Sequence, residues 1–220
     1  MFEETLKVVN ERRLNVMRDL ARLSSTRTLP AFWSLARDIL SQLDLDLPYA
    51  AVYSLEDGPL TPPLRGTTAT SFPEKKVYAL QETIGCDPGC ALAPKIITVI
   101  QDQEGLIATN DGPWPLAKVC ATREIVIVEN IEPLLTDVPT RGIKHLRPTR
   151  AAVLPLLRGD RVVGCLVVCL NPALPYDANF QRFLEVLARQ ISASAVVMWS
   201  YESEVQKCAP IRERFIAIIS

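Results

Sequence analysis

The sequence predicts an α+β domain: a central antiparallel sheet of five to six strands, helices gathered on one face, and long helices at the N- and C-termini. Three observations predict it. Within Arg150–Tyr201, two apolar runs, Ala151–Leu157 and Val162–Leu170, flank Arg158-Gly159-Asp160-Arg161, which carries the chemistry of a tight hairpin turn. After the loop Asn171–Asp177 the apolar period changes from two to 3.6. Phe180, Phe183, Leu184, Leu187 and Ile191 then share one helical face, with Glu185, Arg189 and Gln190 mostly turned away. Finally, the other strand candidates lie far apart without a regular helix between each pair, which favours antiparallel pairing.

Taken in order, Phe2–Leu23 reads as a helix. Leu6, Val9, Val16, Leu20 and Leu23 keep a three–four spacing broken by Arg13. A helix lying on the domain and a dimer seam both fit that pattern. Thr28 can cap the next helix, with Pro30 in its first turn, where a missing N–H costs nothing. Its buried stripe is Phe32, Leu35, Ala36, Ile39, Leu40 and Leu43. Tyr49–Leu55 is a strand, Glu56-Asp57-Gly58-Pro59 a turn, and Thr61–Glu74 a loop without apolar period. Lys76–Gln81 is a second strand, and Ile84–Leu92 must bend around Gly85, Pro88 and Gly89. Ile96, Ile97 and Ile100 give Pro94–Gln103 a helical pattern, against its β-branched content. Asp111–Pro115 is a rigid loop, Leu116–Thr122 one or two helical turns, and Glu124–Asn130 an alternating strand. A long loop, Leu134–Arg150, leads into the hairpin. The second hairpin strand is apolar at nearly every position, so both of its faces should be covered.

The chain has 220 residues, is 48% apolar and carries a formal net charge of −1. That composition excludes a disordered chain and a general nucleic-acid binder. Charged residues interrupt every long apolar run, so no membrane span is expected. The N-terminus lacks the basic start and apolar core of a signal peptide, so a cytoplasmic location is expected.

The six cysteines should accordingly be mostly reduced. Cys165 and Cys169 read as core residues on one strand face. Cys86-Asp87-Pro88-Gly89-Cys90 supports a redox switch, half of a metal site, a catalytic thiol pair, or two independent buried cysteines beside a turn. A closed zinc site needs about four ligands, and the other cysteines are single or in the core strand, so no metal is expected. The one histidine, His145, lies among Pro139, Gly142 and Pro148 in a basic loop with no carboxylate near it in sequence. No nucleophile–histidine–acid set can be built without it, and no catalytic residue is assigned. Arg141, Lys144, Arg147, Arg150, Arg158 and Arg161 form a solvated face or meet an anionic ligand or an acidic partner. Nucleic acid is disfavoured because no aromatic platform is interleaved with these charges.

Pro155-Leu156-Leu157, Arg158-Gly159-Asp160 and Val162-Val163-Gly164-Cys165-Leu166 resemble the late hairpin of GAF domains. Trp114-Pro115-Leu116-Ala117 with Glu124–Asn130 is similar to the family's central helix and strand, and Phe180–Ile191 resembles its closing helix. The resemblance covers Leu29 to Ser200. It implies that a ligand, where one binds, would lie between the sheet and Gln81–Thr122, with Cys86, Cys90, Trp114 and Cys120 as pocket candidates. It identifies no cofactor.

The stretch from Asn171 to Ala195 looks like GAF domains N-terminal to the kinase core of microbial, often hybrid, sensor histidine kinases. Phe215–Ser220 is similar to the run before their phosphoacceptor histidine box, with Ile218 where a small or polar residue is commoner. This resemblance implies an N-terminal signalling or dimerisation helix (1–27), a sensory domain (28–200) and a C-terminal helical linker (201–220). It implies a non-catalytic module that relays ligand or redox state through its terminal helices to a histidine kinase core, in cis beyond Ser220 or in trans. Met198, Tyr201 and Val205 would mark the signalling part of the last helix, expected over Asn179–Lys207, with Phe180–Ile191 as its core face, that stripe lost over Met198–Lys207, and its rigidity weakened at Pro210. A homodimer through the terminal helices is the expected assembly. Two other readings stay open: a thiol-based GAF enzyme such as a free methionine sulfoxide reductase, and a purely structural dimerisation module.

Overall fold

A computed structural model describes the backbone over 2–56, 74–101, 107–138 and 147–219, and side chains over 7–56, 75–100, 110–138 and 147–201. His145 and the turn and loop expected over 57–73 lie outside the described residues, as does the side chain of Val205.

Among the described residues, seven strands form one antiparallel sheet. They are β1 (Tyr49–Leu55), β2 (Glu74–Ile84), β3 (Ile96–Gln101), β4 (Ile107–Asn110), β5 (Val126–Glu129), β6 (Arg150–Arg158) and β7 (Arg161–Leu170), in the spatial order β4-β3-β2-β1-β7-β6-β5. The α+β class holds. The strand count exceeds the expectation because the sequence gives β3 as helix and leaves β4 unread. Ile96-Ile97-Thr98-Val99-Ile100 is a β-branched run that pairs with β2 from Ala79↔Ile96 to Glu74↔Gln101. Its alternation decides the matter: Ile97 and Val99 are buried, whereas Ile96 and Ile100 are exposed.

The β6–β7 hairpin is the centre of the fold, and β7 is buried at nearly every position. Alternate residues feed two cores. Ala152, Leu154, Leu156, Leu166, Val168 and Leu170 face the helical layer. Ala151, Val153, Cys165, Val167 and Cys169 face the opposite layer.

The helical layer contains α1 (Phe2–Leu20), α2 (Leu29–Leu40) and the first half of α4 (Ala178–Ile219). Thr28 caps α2, accepting the Ala31 N–H at 3.4 Å, with Pro30 in the first turn. Trp33, outside the sequence-derived stripe, is also buried, its ring edge-on to Phe32. On the other face lies α3 (Leu116–Thr122), about two turns closed by Arg123 in the left-handed conformation.

Two readings of α4 need correction. The buried stripe does not end at Ile191: Ala195 and Met198 continue it, and Met198 Sδ accepts the Thr26 hydroxyl at 3.6 Å. The helical backbone also runs through Pro210 to Ile219, although proline there leaves the Gln206 carbonyl without its usual donor.

Candidate functional site

The Cys86–Ala93 turn follows β2 and is closed by backbone bonds from Gly89 N to Ala93 O (2.7 Å) and from Ala93 N to Cys90 O (3.0 Å). It brings the Cys86 and Cys90 thiols into contact and sets Cys86 against Tyr49 and Cys169. Trp114 is wholly buried. Its indole N–H donates to Leu92 O at 2.9 Å, and its carbonyl accepts from Asn110 Nδ2 at 2.8 Å. Trp114 thus staples the cysteine turn to the β4–α3 corner. Cys120, on α3, lies with its Sγ 3.1 Å from the Tyr78 hydroxyl.

All four sequence-derived pocket candidates therefore lie in one layer, in two separate places: Cys86 and Cys90 near Tyr49, and Cys120 near Tyr78. The sequence reading missed Tyr53 and Tyr78, both fully buried here. Two-residue alternation on β1 and β2 places them on this face, but that alternation is visible only once the partner strands are known. The Tyr53 hydroxyl is buried without a hydrogen-bond partner among the described residues.

Side chains fill this layer. The cleft bordered by Tyr49, Cys86, Leu92 and Cys169 leaves essentially no space that a water molecule could enter (≈ 0 Å³), against the roughly 300–1,000 Å³ of small-molecule sites. Burial also sets the chemistry. It pushes the Cys86 thiol up to about 12, with the neighbouring Cys90 adding to the effect. Burial raises Cys120 as well, partly offset by the Tyr78 hydroxyl, and raises Cys165 and Cys169. Tyr53 and Tyr78 are pushed upward by the same desolvation. Thiols held in their neutral form are poor nucleophiles.

At pH 8, Cys86 should react with iodoacetamide on the order of a thousandfold more slowly than an ordinary cysteine. Because its folded value lies above its unfolded one, the neutral thiol favours the native state. That contribution is complete below about pH 8.5 and declines as pH rises toward 12. Residue-resolved labelling by mass spectrometry checks the rate, and urea melts at pH 8 and 10 check the direction. Labelling of Cys86 at an ordinary rate would show that the turn opens readily.

The opposite face joins the sheet to the terminal helices. A register shift between Leu156 and Leu157 releases the Leu157 N–H from the β6–β7 ladder. Ser192 Oγ on α4 takes it at 3.0 Å while donating to Ala188 O at 2.7 Å. At the other end of this face, where β7 leads into α4, Asp46 is fully buried and accepts from the guanidinium groups of Arg12 and Arg13, the latter through Nε at 2.8 Å. The Arg13 guanidinium also stacks over Phe180, 4.2 Å from the ring centroid, and over Phe183 at 5.1 Å. Arg13, which interrupts the α1 apolar seam, is thus the residue that fastens α1 to α4. With Val16 and Leu20 buried as well, this part of α1 lies on the domain. Of the signalling candidates, Met198 is buried and Tyr201 is 55% exposed.

Among the described residues, no group of three metal-ligating side chains is assembled, and no helix is long and apolar enough to cross a membrane.

Solved structures share this architecture. The GAF domain of an Acinetobacter phosphoenolpyruvate-protein phosphotransferase superposes with a TM-score of 0.51 at 16% identity, covering 85% of this chain and 94% of its own. The A. aeolicus nlh2 GAF domain in an inactive state gives 0.51 at 12% identity, covering 86% and 98%. The GAF domain of a Coxiella burnetii phosphoenolpyruvate-protein phosphotransferase gives 0.51 at 13%, covering 88% and 98%. At such identities the likeness speaks to fold alone. None of the curated proteins compared matches the chain. The sequence pattern of the GAF domain matches residues 26–194, which span the seven strands, α2, α3 and α4 as far as Ser194. With that match over most of its length, the chain belongs to the GAF domain family, whose members are typically sensory or regulatory.

Proposed function

We propose that this chain is a non-catalytic sensory and regulatory module that passes the state of its cysteine-bearing layer, through the sheet, to its terminal helices. The observation that carries this reading is α4. Its first half is locked to the hairpin by Ser192 and the Phe180–Met198 stripe, and the same helix then continues to Ile219. At about 1.5 Å per residue its 42 residues span roughly 60 Å, long enough to carry a shift of packing well away from the sheet. The output is a histidine kinase core in cis or in trans, the assembly is a homodimer through the terminal helices, and the module works in the cytoplasm. Met198, Tyr201 and Val205 lie where the helix leaves the domain. The input is a small molecule or a redox change at Cys86, Cys90, Trp114 or Cys120.

The test places this chain ahead of a dimeric histidine kinase core in continuous helical register and measures autophosphorylation. Trp114→Phe, which loses the Leu92 bond, and Ser192→Ala, which loses the latch, should each change the rate at least severalfold while the domain stays folded. Unchanged rates in both would sink the relay. A second reading, a structural dimerisation module, draws support from the filled cysteine layer. A sedimentation dimer combined with those unchanged rates would favour it. The elevated thiols weigh against a thiol-based reductase.

A further inference from the structure

We propose that a groove on the helical face, away from the cysteine layer, binds a free amino acid with an apolar side chain. The groove lies between the first half of α4 and the β5–β6 end of the sheet and has a volume of ≈ 560 Å³, within the ordinary range for small-molecule sites. Its apolar lining comes from Ile125, Pro155, Leu157 and Ala188. Such a surface takes an aliphatic or aromatic body and releases water from it.

The charged lining narrows the class. Arg123 and Glu124 come from the α3–β5 corner, and Glu185 and Arg189 from α4, so each side offers one cation and one anion. Among the described residues, none of these four pairs with another of the four. Arg123 reaches only the exposed Asp160, at 3.8 Å, and Glu185 accepts from Gln181 Nε2 at 3.0 Å. Arg123 is moreover fixed by its own backbone. It sits at φ 60° as the cap of α3, and its N–H is committed to Val119 O at 2.8 Å. A ligand carrying only a carboxylate would suit the arginines and face two unanswered glutamates. An amine alone would have the opposite fault. A zwitterion with an apolar side chain answers both signs and the apolar lining together. The groove also includes Ser192, so an occupant would lie against the bond that joins hairpin and output helix.

Calorimetry on the full chain with L-phenylalanine, L-leucine, L-methionine and L-tryptophan tests this. At least one should bind saturably, with a dissociation constant on the order of 1 mM or tighter. Phenylacetate, phenethylamine and glycine each lack one of the three features, N-acetyl-phenylalanine amide lacks both charges, and all four should bind at least tenfold more weakly. Arg189→Ala and Glu185→Ala change exposed side chains and leave the core intact. Each should weaken the best ligand at least tenfold, and Leu157→Trp should fill the groove and abolish binding. The proposal is overturned if none of the four amino acids saturates by about 10 mM. It is equally overturned if binding is unchanged in both exposed-site variants, or if the capped amide binds as well as the free amino acid. These outcomes stand apart from the relay, which kinase autophosphorylation tests separately.

Discussion

Gly164→Val is expected to lower unfolding stability by about 3 kcal/mol or more, the largest loss from a single small substitution in the sheet. The reason is space. Gly164 lies on β7 opposite Ser54 of β1 and Leu156 of β6, and a Cβ built there would meet the Tyr53 carbonyl oxygen at 2.4 Å. That oxygen is backbone in a paired strand, so relief requires the β1–β7 ladder to part and not merely a rotamer to move. Gly159, in the hairpin turn five residues earlier, is the control. An added Cβ there meets nothing within 4 Å, but φ is +59°. Gly159→Ala should therefore cost only about 1 kcal/mol, through left-handed backbone alone. Urea melts of the two variants check the ordering. Equal losses would mean that Gly164 is a conformational glycine and that β1 and β7 do not depend on close approach.

This pair of glycines shows which parts of the fold were legible in the chain. The turn at Gly159 and both apolar strands could be read locally, because dihedral preference and two-residue alternation are properties of neighbouring residues. The reason for Gly164 lies in a strand more than 100 residues earlier, so the sequence showed the glycine without its cause. β3 failed for a related reason. Ile96, Ile97 and Ile100 suit a helical face as well as a strand, and only pairing with β2 decides between them. The candidate site was half legible. The odd residues Cys86, Cys90, Trp114 and Cys120 stand out by type, and they do share a layer. Tyr53 and Tyr78, which surround them, look like ordinary strand residues. The 560 Å³ groove could not be found from sequence at all, since its lining comes from the α3–β5 connection, β6 and α4.

Asp46→Ala should loosen α1 from the domain and cost about 2–3 kcal/mol. The Asp46 carboxylate is fully buried, and removing it strands two guanidinium groups whose side chains are only 18% and 13% exposed. Breaking a wholly buried ion pair costs about 3–5 kcal/mol. The partial exposure of both arginines lets water recover some of that, which sets the lower figure. Neither arginine behaves as a surface residue: among the described residues Arg12 Nε is buried without a partner, and the Arg13 guanidinium sits over the Phe180 ring. Asp46→Asn keeps one acceptor but no charge and should lose less than Asp46→Ala. The decisive measurement is hydrogen exchange. In Asp46→Ala, amides of α1 around Arg12–Val16 should lose at least tenfold protection, while β6 and β7 keep theirs. Loss confined to α1 would identify Asp46 as the point where the N-terminal helix is tied to the start of the output helix. Uniform loss across the sheet would make it an ordinary core contact. Unchanged α1 protection would mean that Val16, Leu20 and Leu23 alone hold the helix. A helix tied by one acidic residue can be released without unfolding the sheet, and that is what a relay through two terminal helices requires.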